Sequence, residues 1–194
     1  MATPPRSVLL AACVLATACA VLHRTPATSS RVADGQFVND FLRLHITVPP
    51  GWHVLPPAEL AEIEVRARAA SKHPDAAGRV SFLVAMTRID AQGPRSSPAV
   101  LALAEKLVIP DLSAGEYANS QVRTNAQCKD DGARDPVVLG AVDGIGSLRH
   151  CPGHEERMLS AVVRGYGVLV LGMWHAGEQR EDVESVLRTV RFVR

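Results

Sequence analysis

The chain has 194 residues, 47% hydrophobic and 4% aromatic, with 21 basic against 20 acidic side chains and a formal net charge of +1. So even a balance leaves no electrostatic footprint for nucleic acid, and so few aromatics argue against a surface that stacks bases. Beyond an N-terminal leader about 175 residues remain, enough for one domain with a core of its own.

The leader is the most specific signal in the chain. Arg6 is the one charge before an unbroken run of small and apolar residues from Ser7 to Leu22, and no acidic residue precedes Asp34. That pattern predicts a bacterial export signal. Leu15-Ala16-Thr17-Ala18-Cys19 resembles a lipobox, which would make Cys19 the lipidated first residue of the mature protein. Leu10-Ala11-Ala12-Cys13 also matches, but it lies too near Arg6 for an apolar core of roughly 7–15 residues. Ordinary cleavage after Ala18 or Ala20 is the alternative, since both sites follow the small-x-small rule. An uncleaved anchor would need about 20 apolar residues, more than the run supplies. The layout expected is a signal peptide over 1–18, a Thr-, Ser-, Pro- and Arg-containing tether over 19–34, and one domain over 35–194.

Asp34-Gly35 marks the first turn. Leu42 to Val48 alternates apolar with polar residues and predicts a half-buried strand, stopped by Pro49-Pro50-Gly51. Trp52 to Leu55 is a short return strand. A helix is predicted over 58–72, with Leu60, Ile63, Ala67 and Ala70 on one face and Glu62–Arg66 and Glu64–Arg68 pairs supporting it. Residues 80–87 read as a central strand. Ser97-Pro98 reads as a cap and first turn of a second helix, with Val100, Leu103, Ala104, Leu107 and Val108 inward and Pro110 as its stop. Residues 111–127 read as turns with a strand near 121–124. Strands follow at 137–141, 145–150, 158–164 and 168–174, the last two joined by Gly165-Tyr166-Gly167. A final helix over 178–190 places Val183, Val186, Leu187 and Val190 on its inner face. Trp52 and Trp174 are expected as core anchors.

Phe37-Val38-Asn39, Leu42, Leu44 and Ile46, followed by Pro49-Pro50-Gly51-Trp52, resemble the opening of PsbP-like domains. The ending is similar too, with an apolar hairpin, a Gly turn and a last helix running into Leu187-Arg188-Thr189-Val190-Arg191-Phe192. The resemblance covers residues 35–194. It implies an α+β fold, an antiparallel sheet packed between helices as an α/β/α sandwich, and it implies action by binding partners rather than by catalysis. It brings no catalytic motif with it, Trp52 carries over only as a core residue, and the Cys128–Cys151 pair and residues 111–133 lie outside its pattern.

Beyond the leader and Cys19 two cysteines remain, Cys128 and Cys151, and in an exported chain they are expected to pair as a disulfide. His150-Cys151-Pro152-Gly153-His154-Glu155-Glu156 is the densest cluster of metal-ligand types, so the alternative is a metal site on His150, Cys151 and His154, although its spacing matches no zinc motif. Residues 129–135 lack the ligand order of an EF-hand loop and read as a solvated turn. A Cys151–His154 nucleophile has no signalled base or oxyanion site, and phosphate-loop, dinucleotide and nucleophile-elbow motifs are missing. The sequence therefore predicts no catalytic residue and no cofactor. The function expected is a non-catalytic envelope protein on the periplasmic side, lipid-anchored or soluble. Its partner would be another envelope protein, with the chain serving as assembly or accessory factor or as an immunity-type inhibitor. Partner contacts are expected on the sheet surface or on the loops at 49–53 and 128–135, because loops carry function more often than framework does. The membrane is met only through the lipid.

Overall fold

The computed structural model describes residues 25–71, 77–90, 93–122, 128–175 and 180–194. The signal peptide over 1–18, lipidation at Cys19 and the first part of the tether lie outside the described residues. The strands are β1 (Ser30–Ala33), β2 (Gln36–Asn39), β3 (Leu44–Thr47), β4 (Trp52–Val54), β5 (Val80–Asp90), β6 (Gly93–Lys106), β7 (Lys129–Asp130), β8 (Asp135–Leu139), β9 (Val142–Cys151), β10 (His154–Val163), β11 (Tyr166–Trp174) and β12 (Arg191–Phe192). The helices are α1 (Pro57–Ala70), α2 (Ala114–Val122) and α3 (Arg180–Leu187).

All strand pairing is antiparallel, apart from an isolated parallel bridge between Gly140 and Phe192. A small sheet runs β1-β2-β3-β12 and a large one runs β4-β5-β6-β11-β10-β9-β7, with β8 also paired to β9. Asp34-Gly35 joins β1 to β2 and Arg164-Gly165 joins β10 to β11, both turns with positive φ at each of their residues. That is the backbone twist tight hairpins favour. The tether expected over 19–34 is thus partly framework, since Ser30 to Ala33 pairs with Gln36 to Asn39. Asn39 fastens this start of the fold. Fully buried, it donates Nδ2 to the Pro26 carbonyl at 2.6 Å and to Ser30 Oγ at 2.9 Å, and its Oδ1 accepts from the Leu42 amide at 2.8 Å.

Successive residues of β11 point to opposite faces of the sheet, and two glycines show what covers each face. A Cβ on Gly172 would fall 2.3 Å from Val183 Cγ1 of α3, while one on Gly167 would fall 2.3 Å from the Tyr117 ring of α2. Five residues apart, these glycines face opposite ways. The large sheet therefore lies between α2 on one side and α3 with the small sheet on the other, the α+β sandwich expected. The main core fills the α3 side, with Leu44, Ile46, Val84, Val100, Val170, Trp174, Val183 and Val186 among its buried members. On the α2 side Tyr117 and Ala118 are buried with Met158 and Ser160.

Three predicted elements differ. Residues 97–110 form most of β6 and not a helix. Val100, Ala102 and Ala104 are fully buried and alternate with half-buried Leu101, Leu103 and Glu105, the period of a strand. Ala, Leu, Glu and Lys favour helix intrinsically, but pairing with β5 on one side and β11 on the other overrides that preference. Pro98 sits where pairing with β5 is interrupted, so its missing N–H leaves no gap in the ladder. The strand expected near 121–124 is instead the end of α2, with residues 123–127 outside the description. Finally, α1 docks by polar contacts rather than by a broad apolar face. Leu60 and Ile63 are half-buried but Ala67 and Ala70 are exposed. Glu64 accepts the Phe82 amide at 3.0 Å, and Arg68, paired with Glu64, donates to the Val80 carbonyl at 3.2 Å. β4 pairs only with residues 86–88 of β5, so α1 occupies the open edge above it.

Candidate functional site

Cys128 and Cys151 are joined by a disulfide with Cα atoms 4.1 Å apart. It ties the start of edge strand β7 to the end of β9. Closing a loop with a sequence separation of 23 stabilises the fold by about 3 kcal/mol on the chain-entropy model.

Beside the sulfurs lies a buried charged group. Glu156 pairs with Arg149, the two side chains being 8% and 7% exposed, and the second carboxylate oxygen of Glu156 is 2.9 Å from His154 Nε2. Cross-strand pairing explains the convergence. Cys151 sits opposite His154, and Arg149 opposite Glu156, so all four share the α2 face. The ligand atoms of Cys128, Cys151 and Glu156 lie within 4.8 Å of one another. A buried ion pair is weak support for stability, yet removing one partner leaves a stranded charge and costs about 3–5 kcal/mol.

His150 belongs to the other face. It pairs across strands with Glu155, whose carboxylate is 3.1 Å from His150 Nδ1 and also accepts Trp174 Nε1–H at 2.9 Å. Of the ligands His150, Cys151 and His154, only Cys151 and His154 come to one face, and the Cys151 sulfur is bonded to Cys128. Residues 150–156 form two strand ends and the turn Pro152-Gly153. Sequence reasoning names Glu156 only as a member of the 150–156 cluster and does not single out Arg149. The signal that finds them is the Pro-Gly turn, which sets residue 151 against 154 and therefore 149 against 156.

The loop between β7 and β8 is held firmly. Arg134 grips Asp130 and donates Nε to Asn119 Oδ1 at 3.1 Å, tying the loop to α2, while Asp131 Oδ1 accepts the Ala133 amide at 2.9 Å. The Arg134 hydrogen bond holds the Asp130 carboxyl below its ordinary range, against a smaller opposing effect of burial. Nearby, burial first and the Glu105 charge second raise the Tyr117 phenol far above its usual value. Its hydroxyl is buried without a hydrogen-bond partner among the described residues.

A concave feature lies elsewhere. A groove of about 370 Å³ runs between α1, β4, β5 and the β1–β2 hairpin, walled by Val32, Phe37, Leu55, Leu60 and Phe82, with Glu64 among its few polar members. It adjoins the predicted 49–53 loop, where Trp52 is half-buried against the core and not enclosed by it. Trp174 is fully enclosed. Among the described residues no helix is long and apolar enough to cross a membrane.

No family model and no curated protein matches this sequence. Among solved structures it is similar to cyanobacterial PsbP (CyanoP) from Synechocystis sp. PCC 6803, at 7% identity and a TM-score of 0.49, covering 90% of this chain and 99% of that one.

Proposed function

We propose that the chain is an exported, non-catalytic binding protein of the bacterial envelope, held by a lipid on Cys19, which receives an apolar segment of another envelope protein in the groove beside α1. The groove carries this reading. Its walls are mainly apolar, it opens to the surface, and Val32 on its β1 wall is 50% exposed. Apolar concavities with few polar members are where ligands and peptide segments bind. The leader supports export, and a disulfide suits an oxidising compartment.

Site-specific photo-crosslinking in intact cells tests it. A photoreactive residue at Leu60 or Ala61 should give one adduct of discrete mass, lost when Leu55 is changed to Arg. The same probe at Val138, exposed on β8, should give none. Equal adducts from both places, or none from the groove, would refute the reading.

A further inference from the structure

The ion pair beside the disulfide does more than a structural crosslink requires. A disulfide is neutral and needs no charged neighbour, yet a buried carboxylate lies within 4.8 Å of both sulfurs of this one, with an imidazole hydrogen-bonded to that carboxylate. We propose that the reduced protein holds a zinc-type divalent ion between Cys128, Cys151, Glu156 and His154, and that the Cys128–Cys151 bond is the oxidised, closed form of that site.

The residue types suit the ion. Two thiolates, a carboxylate and an imidazole form a four-coordinate set of borderline-soft donors. The sulfurs and the Glu156 carboxylate already lie within 4.8 Å of one another, and Glu156 Oε1 is 2.9 Å from His154 Nε2. In a tetrahedral site with bonds near 2.0 Å, two such ligand atoms sit about 3.3 Å apart. The hydrogen-bonded pair is thus close to the spacing it would have as two ligands. Charge also balances. Three anionic ligands exceed the ion's charge by one, and Arg149, paired with the other oxygen of Glu156, supplies the compensating positive charge from just outside the coordination sphere.

Opening the site is a two-electron step. A dithiol reductant, of the kind carried by thiol–disulfide oxidoreductases, attacks one sulfur, resolves the mixed disulfide with its second thiol, and leaves as its own disulfide. Two protons come to Cys128 and Cys151 with the electrons. Both protons pass to solvent when the thiols bind the ion as thiolates. Metal binding is therefore confined to the reduced state, independently of what occupies the groove.

Titration of the full exported protein with Co2+ alone, before and after phosphine reduction and removal of the reductant, tests the site. The reduced protein should bind one equivalent, with thiolate-to-cobalt charge-transfer bands, and the oxidised protein none. Zn2+ should displace the Co2+ and bleach those bands. His154→Gln, at a half-buried position that tolerates change, should weaken binding by at least about tenfold, as should Glu156→Gln. His150→Ala, on the opposite face, should leave binding unchanged. The proposal fails if the reduced protein shows no thiolate band, if Cys128→Ser/Cys151→Ser binds Co2+ equally well, or if His150→Ala weakens binding as much as His154→Gln.

Discussion

Substituting Gly172 by alanine probes directly how α3 is seated on the sheet. The added Cβ would lie 2.3 Å from Val183 Cγ1 and 2.9 Å from Leu187 Cδ1, whereas carbon atoms pack at about 3.5–4.0 Å. Neither neighbour has a long flexible end to swing away, and Val183 and Leu187 are both buried, so α3 must move outward by more than an ångström. Overpacking of this kind costs about 1–3 kcal/mol. Removing a glycine from a strand returns about 0.5–1 kcal/mol, so the net loss expected is about 1–2 kcal/mol. For a chain of this size that is a fall in Tm of about 2–8 °C. Val183→Ala alone loses about 1.5 kcal/mol or more of burial. The double variant should cost less than the two singles together by about 1 kcal/mol, because the cavity made by one accepts the methyl of the other. Urea unfolding of the four proteins, with m-values checked for constancy, measures the cycle. A neutral or stabilising Gly172→Ala, or strict additivity in the double variant, would refute the packing of α3 over this strand.

Three further outcomes are expected. Asn39→Ala strands the buried Leu42 amide and frees the Pro26 carbonyl, and should cost about 2–3 kcal/mol in urea unfolding. Tyr117→Phe removes a buried hydroxyl that has no hydrogen-bond partner among the described residues and should be neutral or stabilising in a thermal melt, where most core truncations are not. The folded-state pKa of Asp130 lies below its unfolded value of about 3.9. Its pairing with Arg134 therefore stabilises the fold above that value and is lost as pH falls through the folded one. Asp130→Asn should lower the urea midpoint at pH 7 and leave a smaller difference from the parent at pH 3.

Much of the framework was legible because it depends on local pattern. Leu44 and Ile46 alternate with His45 and Thr47 in sequence and in burial, and Val183, Val186 and Leu187 of α3 are buried as their spacing predicted. Gly165 marked the β10–β11 turn. β6 was illegible for the opposite reason. Its composition favours helix, and only pairing with β5 on one side and with β11, distant in sequence, on the other makes it a strand. In α1 the helical period was real, but the docking rests on Glu64 and Arg68, which the period does not reveal. At the candidate site the cysteine pair could be read from counting. The placement of Glu156 and Arg149 with it, and of His150 away from it, required the register across Pro152-Gly153. The groove was illegible altogether, because its walls come from three stretches of chain that meet only in the fold.

The intact mass of the protein taken from its own envelope tests the central claim most directly. The expected species starts at Cys19, carries acyl chains there, and is two hydrogens lighter than its dithiol form, with Cys128 and Cys151 joined. An unprocessed chain beginning at Met1, without acyl groups and with all cysteines reduced, would contradict an exported, lipid-held binding protein.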